Sequence, residues 1–207
     1  MSHDFFAEKA ASYEQNPQRV DNVVAIGNAI KAAIPLQSGM HLLDFGAGTG
    51  LLLQQIAPSV AKITALDVSP AMNAQLRAKA AEIGCELEVL ELDLLQTPLQ
   101  RQFDGIISSM TLHHIADIPA LLLQFHQLLR PGGFIALADL DTEDGSFHTE
   151  DTGVFHCGFD RAAIAAQARA AGFSAVQVSD GSVVQKPHGQ YPVFLLTGRR
   201  SAAAAGG

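Results

Sequence analysis

The 207-residue sequence predicts an α/β fold: a doubly wound, mostly parallel sheet with helices on both faces. Three observations carry that expectation. Between residues 41 and 140, short apolar runs alternate with stretches of helical periodicity, the pattern of parallel strands joined by helical crossovers. The first apolar run leads directly into a loop, "GAGTG", with glycine at 46, 48 and 50. Aspartates then close or follow the next two runs, Asp67 and Asp93, at the sheet edge where open α/β folds bind ligands.

Taken in order, residues 1–18 are polar with isolated aromatics, Phe5, Phe6 and Tyr13, and read as a loose arm. From Val20, positions Val23, Val24, Gly27, Ile30 and Ile34 follow helical spacing until Pro35 stops the run. "HLLDF" (41–45) is a short buried strand, the glycine loop follows it, and "LLLQQIA" is a helix ending near Pro58. "KITALDV" (62–68) is the second strand. Ser69 then sits at an N-cap, Pro70 at the first helical position and Gly84 just past the end of the next helix. "ELEVLEL" (86–92) and "FDGIISS" (103–109) are strands, and Asp117 caps a helix with Leu121, Leu122, Phe125, Leu128 and Leu129 on one face. "RPGG" turns the chain into a fifth strand at 134–140, and Asp160 caps one more helix. "SAVQVS" and "YPVFLLTGR" close the pattern with no helix-length segment between them, so the last strand is expected to run antiparallel to its neighbour. The domain therefore spans 19–200, followed by a low-complexity tail at 201–207 expected to be disordered.

Composition narrows the function. Hydrophobic residues make up 48% and charged ones 16%, enough apolar material for one sizeable core. A net charge of −8 without any Lys/Arg run argues against a nucleic-acid partner, which needs clustered cations. Cys85 and Cys157 form no CxxC pair and read as thiols of a reducing compartment. The N-terminus lacks the basic start and apolar stretch of a signal peptide, and no apolar run is long enough to span a membrane. The expectation is a cytoplasmic protein without a membrane partner; its oligomeric state is not legible.

A glycine-rich turn after the first strand lets a ligand lie against the main chain, or is simply a tight turn. Asp67, about 20 residues on, is placed to accept ribose hydroxyls, and Asp93 to accept from an adenine amino group. Either alone reads as well as a turn former or cap, but with the loop they describe a nucleoside-shaped site. The spacing is GxGxG rather than the GxGxxG of dinucleotide sites, and Asp44 precedes it. An added carboxylate suits a ligand with an ammonium better than a pyrophosphate.

The motifs "LLDFGAGTG", "ALDVS", "LDL", "FDGIISSMTLHHIAD" and "LLRPGGFIALADL", in this order, resemble those of class I S-adenosylmethionine-dependent methyltransferases. The nearest likeness is to the small-molecule branch that includes the ubiquinone/menaquinone C-methyltransferases, whose lid segment the stretch "FFAEKAASYEQNPQRV" also resembles. The resemblance implies a Rossmann-like, seven-stranded sheet with an antiparallel last strand, and S-adenosylmethionine as cofactor with S-adenosylhomocysteine as product. It places Gly46, Ala47, Gly48 and Gly50 at the methionine part, Asp44 near the ammonium, and Asp67 on the ribose. Val68 and Met72 would flank adenine, Asp93 and the Leu94 backbone would read its edge, and Met110 would complete the cofactor contacts.

The fourth strand ends in "SSMTLHHI" and lacks the Asn/Asp-Pro-Pro-Tyr sequence of amide and base methylation, which leaves a small-molecule acceptor as the expected substrate. His113 is the candidate base or orienter, against the alternative that the His113–His114 pair is a hydrogen-bonding scaffold. Tyr13 is a second candidate, or a packed lid aromatic. The acidic segment 139–160 reads as a lid or binding loop in which Asp139, Asp141 and His156 are pocket candidates. No metal is expected, since no HxH or HxxxH spacing occurs. The competing functions are an NAD(P)-dependent oxidoreductase of the same fold class, which the glycine spacing disfavours, and a noncatalytic cofactor-binding module.

Overall fold

The computed structural model describes residues 4, 7, 9–148, 150 and 152–202. Phe5 and Phe6 of the expected arm, and residues 203–207 of the expected tail, lie outside them. A 3-10 turn, Ala10–Gln15, precedes α1 (Pro17–Ala33), β1 (His41–Phe45), α2 (Leu51–Ile56), β2 (Lys62–Asp67), α3 (Pro70–Ala78) and β3 (Glu86–Glu91). Then follow β4 (Phe103–Ser109), α4 (Ile118–Leu128), β5 (Leu129–Leu140), α5 (Arg161–Ala170), β6 (Phe173–Lys186) and β7 (Gly189–Arg200). The seven strands form one sheet in the order β3-β2-β1-β4-β5-β7-β6. All pairings are parallel except that β7 runs antiparallel to both β5 and β6.

The three expected caps are present, each a side-chain oxygen accepting a backbone N–H that the helix itself leaves unpaired. Ser69 accepts from Met72 at 3.2 Å, Asp117 from Ala120 at 2.9 Å and Asp160 from Ala163 at 2.8 Å. The first helix starts at Pro17 rather than Val20, because the Asn16 side chain caps it and the fixed φ of proline suits a first turn. The third helix is shorter than its pattern: it ends at Ala78, and Ala80–Glu82 form a separate 3-10 turn. The "RPGG" stretch lies within β5, absorbed by a register irregularity opposite Phe103 and Gly105. The last two apolar runs are the halves of one long hairpin, since β6 continues through exposed polar residues to Lys186 and Pro192 stays paired with Val183.

Alternation along the strands sorts the core onto the two faces of the sheet. Leu42, Phe134, Ala136 and Ala138 pack with Ile26, Ile30 and Leu53 of α1 and α2 on one face. Leu43, Ile135 and Leu137 pack with Leu121, Phe125 and Ile164 of α4 and α5 on the other. Strand order turns back at β1 and β4, the point where a crevice opens at the carboxyl ends of open α/β sheets. Among the described residues no helix is long and apolar enough to cross a membrane.

Candidate functional site

The crevice is a cavity of about 240 Å³ at that switch point. Its floor is the β1–α2 loop. Gly46, Gly48 and Gly50 all have positive φ, of 68°, 54° and 88°, a region costly for residues with a Cβ. Two of them are further fixed by packing: a Cβ on Gly46 would lie 2.2 Å from Thr111 Cγ2, and one on Gly50 would lie 2.6 Å from Leu76 Cδ1. Gly48 differs. A Cβ there would meet nothing within 4 Å, so its main chain borders open space inside the crevice.

Asp44, at the end of β1, is 1% exposed and lines the cavity. Its Oδ2 has no hydrogen-bond partner among the described residues. Burial, with the neighbouring Asp67 charge adding to it, pushes its carboxyl up to about 8. Asp67 closes β2 and accepts the Gly48 N–H through Oδ2 and the Ser69 N–H through Oδ1, both at 2.8 Å, so one carboxylate ties the glycine loop to the cap of α3. Burial raises its pKa while those N–H groups pull it down. Val68, next in the chain, is 63% exposed, whereas Met72 and Leu94 are buried. Asp93 is exposed and its carboxylate accepts the Leu95 N–H at 2.9 Å, so it also holds its own turn. Of the predicted cofactor residues, Asp44, Gly46, Ala47, Gly48 and Met110 line the cavity, while Gly50, Asp67, Val68, Met72, Asp93 and Leu94 lie beyond its lining.

Met110, just past β4, takes φ of 57°, a strained setting for a side chain of its size, and its N–H is donated to Ala138 at 2.8 Å. The turn that follows carries His113, 2% exposed and lining the cavity. Its ring Nδ1 lies 2.7 Å from Asp139 Oδ1 and its backbone N–H reaches Asp139 Oδ2 at 3.2 Å. Asp139, wholly buried in β5, therefore fixes both the ring and the turn, and leaves Nε2 as the nitrogen that a cavity ligand can meet. Asp139 itself is not part of the lining: it acts through His113.

Two more imidazoles complete this wall. The His113 ring centroid is 4.3 Å from that of His114 and 5.0 Å from that of His148. Burial and the neighbouring His113 hold both His114 and His148 down to about 4, so both rings are neutral near pH 7. Tyr13 lines the cavity from the N-terminal side; burial raises its phenol pKa, and the Arg19 charge opposes that. Two of the predicted pocket residues are elsewhere. Asp141 is held by Arg161 in a two-pronged ion pair, both contacts at 2.7 Å, and His156 Nε2 bonds the Ile115 carbonyl at 2.9 Å. Arg19, His114 and His148, which the sequence placed in the lid-like stretch, the histidine pair and the acidic segment without a cavity role, also line the cavity, as does Lys186, which no motif marked. Among the described residues no group of three His, Cys, Asp or Glu side chains is arranged to hold a metal.

This geometry coincides with what sequence and fold comparisons find. A family profile described as "Methyltransferase domain" matches residues 21–178. An uncharacterized methyltransferase of Schizosaccharomyces pombe is 35% identical over 138 residues, covering 59% of this chain and 49% of that protein. The ubiquinone biosynthesis O-methyltransferase of Xanthomonas campestris is 30% identical over 134 residues, covering 64% and 53%. The methyltransferase solved with the Haloferax volcanii Trm112 methyltransferase activator superposes with a TM-score of 0.78 at 18% identity, over 97% of this chain and all of that one. The chain belongs to the class I S-adenosylmethionine-dependent methyltransferase family. The chain spans about half the length of these curated relatives.

The family's cofactor can be tested against the residues present. An ammonium needs an acceptor, and Asp44 Oδ2 is a buried one without a partner among the described residues. A ligand lying on the loop needs bare main chain, and Gly48 provides it. A ribose needs an acceptor beyond the loop, and Asp67 stands there. The residues fit.

Proposed function

We propose that this protein methylates a small-molecule acceptor from S-adenosylmethionine, with His113 receiving the acceptor's proton. The observation that carries the reading is the buried His113–Asp139 pair on the wall of the same cavity whose floor is Asp44 and the glycine loop. Asp44 and Gly46–Gly48 would hold the methionine end of the cofactor and Asp67 its ribose. When bound, the cofactor supplies a methyl carbon made electrophilic by its sulfonium, the bonding pair returning to sulfur as the acceptor's lone pair arrives.

The chain's own residues then have two tasks. One is alignment: Met110 and the His113 turn, anchored to β5 through Ala138 and Asp139, set the wall against which the acceptor lies. The other is proton transfer. The acceptor's proton leaves for His113 Nε2, and the imidazolium so formed keeps its Nδ1–H on the Asp139 carboxylate. The cover over this site comes from two segments, the turn at 10–15 and the loop after β5, joined across the cavity by the Lys9–Glu150 ion pair at 2.6 Å. That pair is solvent-exposed, so salt screens it.

A small acceptor is supported by the size of the cavity and by the likeness to a ubiquinone biosynthesis O-methyltransferase. The test is transfer of an isotopically labelled methyl group from S-adenosylmethionine to a panel of phenols, amines, thiols and carboxylates. Label in at least one acceptor, with one S-adenosylhomocysteine formed per methyl moved, is expected. Tight cofactor binding with no transfer to any acceptor would favour a noncatalytic binding module instead. Stabilisation by NAD(P) but not by S-adenosylhomocysteine would overturn the reading altogether.

A further inference from the structure

One part of the cavity lining is electrostatically unlike the rest of the molecule. The chain carries a net charge of −8, yet this lining contains Lys9, Arg19 and Lys186. Lys9 is neutralised by Glu150. Arg19 and Lys186 have no carboxylate within ion-pair distance among the described residues. Each is held by an aromatic ring and a carbonyl instead. The Arg19 guanidinium lies 4.5 Å from the Tyr13 ring centroid and donates to the Tyr13 carbonyl at 3.5 Å. The Lys186 ammonium lies 3.7 Å from the Phe147 ring centroid and donates to the Phe147 carbonyl. Rings and carbonyls orient a cation without cancelling its charge.

Both cations come from regular elements, Arg19 from the first turns of α1 and Lys186 from the last position of β6, so their placement follows from the fold. They also repel one another: burial and the Arg19 charge both press Lys186 toward its neutral form, and the Glu143 charge opposes this only in part. The Glu143 carboxylate is already engaged, accepting the N–H groups of Gly145 at 2.9 Å and Phe147 at 3.0 Å. A third feature points the same way. His148, on the same lining, has Nδ1 on Thr152 Oγ1 at 3.1 Å, while its buried Nε2 has no partner among the described residues. Two like charges and an unpartnered imidazole nitrogen on one wall are an unfavourable arrangement that an anion between them would relieve.

We propose that this part of the cavity binds an anionic group of the methyl acceptor, a carboxylate or a phosphate, between Arg19 and Lys186. The inference rests on the reading of the cavity as a methyl-acceptor site. It narrows the acceptor to a small acid whose nucleophilic atom lies toward His113 while its charge lies toward α1 and β6. His148, with its ring 5.0 Å from that of His113 and 4.8 Å from that of Phe147, is held neutral and adds hydrogen bonding without charge, which suits an acceptor with one acidic end and a polar, uncharged reacting end.

The probes are benzoate, phenyl phosphate and the neutral isostere benzamide, titrated by calorimetry into protein saturated with S-adenosylhomocysteine. At least one of the two anions is expected to bind more tightly than benzamide, and which one does so separates a carboxylate from a phosphate site. Raising the salt concentration should weaken that binding in the wild-type protein, a measurement that needs no variant. Lys186→Met and Arg19→Gln should each weaken the anion by about tenfold or more and leave S-adenosylhomocysteine affinity within about twofold. Benzamide binding as tightly as the anions, no anion binding at all, or anion affinity unchanged in both variants would each overturn the proposal. Failure of the wild-type protein to bind S-adenosylhomocysteine would strike earlier: it would overturn the methyl-transfer reading itself and this inference with it.

Discussion

If Asp44 receives the cofactor's ammonium, as proposed, cofactor binding should release a proton. Its carboxyl is held at about 8 rather than near 3.8, because the group is buried and lies near the Asp67 charge. It is therefore mostly protonated at pH 7. An ammonium placed against it favours the ionised form, so S-adenosylhomocysteine should bind with loss of one proton wherever the free protein still holds it. Below about pH 8 each unit of acidification should then weaken binding by about tenfold, or 1.4 kcal/mol, with a plateau above. Calorimetry in two buffers of different ionisation enthalpy should count about one proton released near pH 6.5. The same group acts on folding with a fixed sign. Its pKa in the folded state lies above its unfolded value, so the unliganded fold loses stability as pH rises from about 4 to about 8, by at most about 1.4 kcal/mol per unit. Asp44→Asn should remove both slopes and weaken the plateau affinity by about 1.5–3 kcal/mol, the usual loss of a charge-assisted bond. A flat pH profile for wild-type binding, with no proton released, would refute the placement of the ammonium at Asp44.

Three further outcomes are expected. Asp67→Ala should weaken S-adenosylhomocysteine by about 2–3 kcal/mol in calorimetry on folded protein, since ribose hydroxyls lose a charged acceptor and the Gly48 N–H loses its partner. Unchanged affinity would remove Asp67 from the ribose. Gly48→Ala should stay folded, losing about 1–2 kcal/mol to its positive φ, and should bind cofactor poorly; Gly46→Ala should fail in the melt itself, because its Cβ collides with Thr111. Equal melting temperatures for these two variants would contradict the distinction. Hydrogen exchange at residues 10–15 and in the loop 141–157 should slow when cofactor and acceptor are both present, and protection indifferent to ligands would end their assignment as a cover.

What the sequence made legible was local. Ser69, Asp117 and Asp160 cap helices through bonds spanning three residues, so the chain text contains both partners. The glycine loop was legible for a similar reason, since the need for positive φ at Gly46, Gly48 and Gly50 is written in the residue type. His113 could be singled out by its place after β4, and Asp139 by its place in β5, but nothing in the text joins residues 26 apart into one hydrogen-bonded pair. The pairing of Arg19 with Lys186 was illegible for the same reason made stronger: one lies in the lid-like stretch and the other near the end of the last hairpin, and only tertiary folding puts both on one cavity. His156 shows the opposite error. A histidine in an acidic loop near the site looks available, yet the loop turns its ring back onto the Ile115 carbonyl. The length of β6 was hidden because "SDGSVVQK" pairs along an exposed hairpin, where no apolar alternation is required.

The central claim is that His113, held by Asp139, serves the acceptor and not the cofactor or the fold. The measurement that tests it most directly is turnover of His113→Asn with the acceptor found by methyl transfer, made beside S-adenosylhomocysteine affinity and melting temperature on the same preparation. A folded variant is expected, with wild-type cofactor affinity and turnover slowed by on the order of 10²–10⁴, the range for a positioned general base. A stable variant with near wild-type turnover would contradict it, as would a variant whose only defect is a lowered melting temperature.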